Sequence, residues 1–340
     1  MASEDFGSVP GNEELKTWLA REIRGGTLGH AYIIEGAPGS GKHSLADDIA
    51  KAVLCGGHGT IPCGECAPCR KISAGSHPDV FVIGRGERAS VGVDTIRLLR
   101  ADTHVIPSEA ERKIYIIEDA DTMTVEAQNA FLLSLEEPPE YVLYLLLCRD
   151  SKSLLETIRS RAPSLRMRPC GRYVIEEYLL SIGGTRAKAM KVSDHEKWSE
   201  LLVCAGGNPG TARALLEGHA LDERIESKRR ACSLITSILS LDDDAVIGIA
   251  TMKKTKRTDA AELLSDIESA LRDMLLAKKS RTVDTCFFTS ADKAVEAGQA
   301  FPARRLALAL DAVRECSASI EKNAAVTTAL LSMAIKIRNL

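Results

Sequence analysis

Residues 36–42 read Gly-Ala-Pro-Gly-Ser-Gly-Lys, a glycine-rich turn between an apolar run and a helical pattern. The run His30-Ala31-Tyr32-Ile33-Ile34 suits a buried parallel strand, and the helical pattern opens at Lys42. Such a turn lets backbone N–H groups wrap a phosphate while the lysine reaches its outer oxygens. It commits this part of the chain to an α/β fold with a phosphate-binding loop. One position breaks the pattern. Where such a loop has a Mg²⁺-ligating serine or threonine, this chain has His43. Ser44 cannot stand in, because one step along a helix turns the side chain by about 100°. The candidate phosphate-binding residues are therefore Gly36, Gly39, Gly41, Lys42, His43 and Ser44, in a loop whose nucleotide chemistry is weakened or lost.

A second strand signal, Lys113-Ile114-Tyr115-Ile116-Ile117, ends in Glu118-Asp119. An apolar strand closed by two acids is the usual partner of a phosphate loop: the first holds Mg²⁺ and the second orients a water. Here the order is Glu then Asp, which shifts each carboxylate by one methylene, about 1.5 Å. The alternative is that both acids merely solvate a strand end. Thr124 reads as an N-cap, and Val125, Ala127, Ala130, Phe131, Leu132, Leu133 and Leu135 follow at helical spacing. Glu136-Glu137-Pro138-Pro139 stops that helix, and Tyr141 to Leu147 is the next buried strand. Strands alternating with helices predict a parallel sheet.

Four of the ten cysteines cluster as Cys55, Cys63, Cys66 and Cys69. Two-residue gaps let neighbouring thiolates turn onto one ion, and four thiolates close a tetrahedral structural Zn²⁺ site with no position left for a catalytic water. An iron–sulfur run would want a further cysteine where Ser73 stands. The polar loop around the cluster has little core of its own, so zinc would supply its folding energy. Cys148, Cys170, Cys204, Cys232, Cys286 and Cys316 lack such spacing and read as packing. Clustered thiols of this kind suit a reducing cytoplasm. Residues 1–5, Met-Ala-Ser-Glu-Asp, lack the basic-then-apolar pattern of a secretory signal, and no apolar run is long enough to cross a membrane. A net charge of −3 brings no global attraction to nucleic acid.

With these motifs in order, the chain resembles the bacterial DNA polymerase III clamp-loader subunits of the AAA+ class. The resemblance is carried by His30-Ala31-Tyr32, the four-cysteine module, Val93-Asp94-Thr95-Ile96-Arg97, Asn129 through Pro139, Thr157-Ile158-Arg159-Ser160-Arg161, and Gly207-Asn208-Pro209-Gly210. It implies an AAA+ module, a small helical lid and a C-terminal helical collar closing a five-subunit ring with gamma/tau and delta subunits. That ring loads a sliding clamp on primer-template DNA. The motor subunits of the family, gamma/tau, carry Gly-Lys-Thr, an Asp-Glu pair, a sensor threonine and a lid arginine. Here those places read Lys42-His43, Glu118-Asp119, Cys148 and Gly210. Four departures point to the delta prime type, which does not generally hydrolyse ATP; the alternative is a gamma/tau-type motor with unusual motifs. Ser160-Arg161 matches the family's Ser-Arg-Cys motif, with Ala162 for Cys. By that resemblance Arg161 acts in trans on a neighbouring subunit's ATP. ATP or ADP with Mg²⁺ at this chain's own loop is expected only as a weak or degenerate site.

The expected organisation is residues 1–168 as the P-loop domain with the cysteine module at 55–69, 169–220 as the lid, and 221–340 as the all-helical collar. Val174, Tyr178, Leu179 and Ile182 fall at helical spacing in the lid. Long helices are expected near 221–240, 258–278 and 302–338. The basic run Lys253-Lys254-Thr255-Lys256-Arg257 reads as a solvated interhelical loop, with DNA phosphates as the alternative.

Overall fold

A computed structural model describes residues 6–57, 59–86, 89–218, 220–251, 256–280 and 285–340. Lys253, Lys254 and Thr255 of the basic run lie outside the described residues. The chain divides into two compact units, one of residues 1–178 with 207–211, the other of residues 179–206 with 212–340.

The first unit is built on a five-stranded sheet. Its elements run α1 (Glu13–Arg24), β1 (Ala31–Glu35), α2 (Lys42–Val53), α3 (Ala67–Ser73), β2 (Val80–Ile83), α4 (Val93–Thr103) and β3 (Lys113–Ile117). Then follow α5 (Val125–Glu136), β4 (Val142–Cys148), α6 (Glu156–Arg161), β5 (Ser164–Arg166) and the start of α7 (Arg172–Ile182). All strand pairs are parallel, in the order β2-β3-β4-β1-β5. Parallel strands covered on both faces are apolar throughout, and alternate residues point to opposite sides. Tyr32 and Ile34, Ile114 and Ile116, and Leu143, Leu145 and Leu147 pack to one side with Leu45, Ala46 and Ile49 of α2. Ala31 and Ile33, Tyr115 and Ile117, and Tyr144 and Leu146 pack to the other with Ile96, Leu99 and Phe131 of α4 and α5. This arrangement sets β1 between β4 and β5, with the glycine loop at its C-terminal end.

Local sequence explains the helix ends. The Thr124 side chain accepts from the Ala127 N–H, capping α5. Ala127, Phe131 and Leu135 form the buried stripe of α5, while Val125 and Leu133 face solvent at 59% and 50% exposure. In α7 the buried positions are Ile175 and Leu179; Ile182 is exposed.

The second unit is helical: α8 (Gly184–Ser193), α9 (His195–Cys204), the body of α10 (Pro209–Leu216), α11 (Leu221–Leu239), α12 (Asp243–Thr251), α13 (Arg257–Ala277), α14 (Ala291–Gly298), α15 (Ala303–Glu321) and α16 (Val326–Arg338). One core joins α11 to α16, with Ile235, Leu264, Ile267, Leu271, Met274, Val313 and Met333 buried in it. The single helix expected over 302–338 is two, because Asn323 takes a left-handed φ of 73° and ends α15. Fully buried Asp273 accepts the backbone N–H groups of Cys286, Phe287 and Phe288, fixing the loop before α14. Cys286, read from sequence as packing, is exposed, with its thiol between Arg272 Nη1 at 3.0 Å and Asp273 Oδ1 at 3.3 Å.

Candidate functional site

The glycine loop leaves β1 at Glu35 and enters α2 at Lys42. Gly39 and Gly41 hold φ of 77° and 94°, which side chains resist, and a Cβ on Gly36 would stand 2.7 Å from Ser40 Oγ and 2.9 Å from Met167 Cβ. The glycines are therefore required for the turn itself. Lys42 is buried, and its ammonium donates to the Gly36 carbonyl at 2.7 Å and the Ala37 carbonyl at 3.0 Å. Burial pulls its pKa down, against the pull of Cys148 and Asp121. The Gly39 carbonyl accepts the N–H of Gly210 at 2.9 Å, and a Cβ on Gly39 would meet Thr211 Oγ1 at 3.0 Å. The loop is thus closed by its own lysine and by the 210–211 backbone.

His43 begins the exposed side of α2, and its Nδ1 lies 3.0 Å from Glu118 Oε1 at the end of β3. Ser44 is exposed, as the helical turn requires. Asp119 has a left-handed φ of 48° and accepts from Arg85 Nε at 3.1 Å. The sequence therefore brings the loop and the acid pair together, but its hydroxyl position holds an imidazole already paired with the first acid. This donor set does not fit a magnesium ion, which wants oxygen ligands in octahedral array. At the end of β4 the Cys148 thiol is pushed up to about 12 by burial, with Asp121 and Glu35 adding to the effect. Glu35, unremarked in the sequence, is buried beside the loop and accepts from Ser151 Oγ at 2.6 Å and Ser164 Oγ at 3.2 Å. Arg166 pairs with it at 3.2 Å.

Arg161 is the last residue of α6. Its Nη1 donates to the Thr157 carbonyl at 3.1 Å and its Nη2 to Glu136 Oε1 at 3.0 Å. The side chain remains 37% exposed. Ala162, where the family motif has cysteine, is fully buried, so that change is one of packing. Glu136 stood in a recognised motif, but its bond to Arg161 joins residues 25 apart and has no local signal.

At the far end of α2 the four cysteines converge. The sulfurs of Cys55, Cys63, Cys66 and Cys69 all lie within 4.8 Å of one another, the one such cluster of possible metal ligands among the described residues. A tetrahedral thiolate site with Zn–S of about 2.3 Å has sulfurs about 3.8 Å apart, and Cys55 and Cys66 stand at 4.0 Å. The Cys63 N–H points at Cys55 Sγ and the Cys66 N–H at Cys63 Sγ, both at 3.4 Å. Such N–H groups orient metal thiolates and support their charge. Those of Cys66 and Glu65 hold the Cys63 thiol down to about 6, whereas burial pushes Cys55 and Cys69 up. The set fits a structural zinc ion, whose charge would bring all four to thiolate.

Comparison with known proteins agrees with this geometry. Residues 11–171 match the family model described as DNA polymerase III, delta subunit. The delta prime subunit of DNA polymerase III from Bacillus subtilis is 35% identical over 162 residues, 48% of this chain and 49% of that one. Its counterpart from Pseudomonas aeruginosa is 36% identical over 188 residues, 55% of each chain. The gamma/tau subunit from Mycobacterium tuberculosis is 27% identical over 270 residues, 78% of this chain and 45% of that one. The chain spans about half the length of these curated relatives. A solved gamma subunit-related protein from Thermotoga maritima aligns over 96% of this chain and 98% of its own at 20% identity, with a TM-score of 0.40. Residues 11–171 are therefore similar to the clamp-loader subunits of DNA polymerase III, the delta prime and gamma/tau group.

Proposed function

We propose that this chain is a delta prime-like member of a five-subunit AAA+ clamp-loader ring, with gamma/tau and delta subunits as neighbours and a sliding clamp and primer-template DNA as its targets. On this reading it is a cytoplasmic replication protein whose lid and collar are supplied by residues 169–220 and 221–340. Its own loop does not turn over ATP, and Arg161 serves a neighbour's ATP in trans. One observation carries the reading: the loop's hydroxyl position holds the imidazole of His43, a nitrogen donor 3.0 Å from Glu118 Oε1, where magnesium would need an oxygen ligand.

Arg161 suits the trans role in two respects. It stands at the end of a short helix with a partly exposed guanidinium, and a carbonyl and a carboxylate hold it. An exposed ion pair of this kind is worth about 1 kcal/mol or less, so an incoming phosphate can displace Glu136. A gamma/tau-type motor is the second reading. What favours it is the longer alignment, 270 residues against 162 and 188.

The test is reconstitution of the ring with Arg161→Lys. Arginine fingers are worth about 10³–10⁵ in rate at the site they face, and lysine keeps the charge but loses the planar fork. DNA- and clamp-stimulated ATPase of the ring should fall by a smaller factor, since other sites remain, while assembly is kept. Arg161→Ala should be at least as severe. A mutant ring that loads clamps at the unmodified rate would remove Arg161 from the mechanism.

A further inference from the structure

We propose that the four-cysteine module sets the phosphate loop through the segment Phe6 to Val9, so that metal at the cysteines and order in the loop are coupled. The two sites lie at opposite ends of α2, and this segment bridges them. Its first anchor is on the module: the Phe6 N–H donates to the Ile61 carbonyl at 3.0 Å, and both side chains are buried in the same core. Arg24 Nη2, on α1, holds the neighbouring Gly59 carbonyl at 3.0 Å. The second anchor is on the helix between the sites, where Ser8 Oγ donates to the buried Asp48 carboxylate of α2. The third is on α1, next to the loop. The Val9 carbonyl accepts from buried Lys16 at 3.1 Å, and Val9 Cγ1 lies 4.0 Å from where a Cβ on Gly41 would stand.

Phe6 has a left-handed φ of 57°, a conformation that costs a bulky residue free energy and needs its surroundings to hold it. The carbonyl of Ile61 is one of those surroundings. It sits in the module's polar loop, which has little apolar packing beyond Ile61, Cys69 and Ile72. Zinc-bound thiolates would therefore supply the rigidity that fixes Ile61, and through it Phe6 and Val9. Buried Val9, close to Gly41, then bounds the space in which the loop and Lys42 can rearrange. Metal loss would free the segment at its first anchor and loosen a loop at the other end of the helix.

Hydrogen–deuterium exchange on the full chain tests this, with the chain zinc-loaded and after chelation. Residues 6–10 and 36–42 should exchange at least about tenfold faster without zinc, while β4, residues 142–148, keeps its protection. Zinc-loaded Phe6→Ala should loosen 36–42 by a similar factor at unchanged zinc content, which separates the bridging segment from transmission along α2. Should Phe6→Ala disturb β4 as well, Ser8→Ala decides. It removes one hydroxyl and should still speed exchange at 36–42 about twofold or more. Loosening confined to 55–69 on chelation, or a loop indifferent to both substitutions, would overturn the proposal.

Discussion

The two ends of α2 are both glycine-rich loops whose residues suit a charged ligand, and they differ in what those residues do. At the N-terminal end the chain has turned its ligand-binding groups on itself. Lys42 binds the carbonyls of Gly36 and Ala37, Gly210 binds Gly39, and His43 pairs with Glu118. At the C-terminal end the four thiols stay convergent on one point, with backbone N–H groups already aimed at two of the sulfurs. The difference is energetic. A glycine turn after a buried strand is supported by the sheet beneath it, so it keeps its shape when its ligand chemistry is lost. The cysteine loop has no comparable core and would lose its fold with its metal. An intact ligand set therefore persists where the ligand holds the structure together.

The largest test of this contrast is metal removal. The chain should carry one zinc with Zn–S distances of about 2.3 Å by X-ray absorption. Structural zinc contributes about 10–16 kcal/mol in small modules, so chelation should unfold residues 55–69 and loosen residues 36–42 while the parallel sheet survives. Cys66→Ser should do the same locally. Iron with visible absorbance, or no bound metal, would end the comparison at its stronger half.

A smaller test uses a site that the chain closes with its own backbone. Buried Asp79 accepts the N–H groups of Ser108, Glu109 and Ala110 at 2.6, 2.8 and 2.9 Å. Burial pushes its pKa up, but the three N–H groups together outweigh that and hold the carboxyl below its ordinary value. Asp79→Ala should cost about 3 kcal/mol in chemical unfolding, the penalty of stranding buried donors. The lowered folded pKa fixes the sign: the stabilisation is full above an unfolded pKa of about 4 and is lost as pH falls through the folded value. The gap between wild type and variant should therefore be widest near pH 7 and shrink in acid. A gap that grows in acid would show that Asp79 is held protonated.

Smallest is His43→Thr, which restores the loop hydroxyl. Glu118, Asp119, Cys148 and Gly210 remain as they are, so the affinity for Mg²⁺-ADP by calorimetry should rise less than about tenfold, the equivalent of 1.4 kcal/mol. A larger gain would make His43 the single cause of the loop's loss and would sharpen the comparison to one residue.

Much of this was readable in the chain because the signals are local. The run at 30–34 became β1, the run at 113–117 became β3, and Thr124 caps α5 as its position implied. The cysteine spacing alone foretold the sulfur cluster. Edge strands β2 and β5 went unread, since strands of four and three residues carry too little pattern. The break at Asn323 was missed because apolar spacing continues across it. Glu136 on Arg161, Asp79 on residues 108–110, and Gly210 on Gly39 lie 25 to 171 residues apart in sequence, and only the fold brings them together.

The central claim, that the glycine loop has kept its shape and lost its chemistry, is tested most directly by Mg²⁺-dependent ATP hydrolysis of the purified chain. The account predicts little or no turnover, with or without added zinc, even if phosphate or nucleotide is retained by Lys42 and the loop N–H groups. Turnover near one per second or faster, the ordinary scale of enzymes, would contradict it and make this chain a motor.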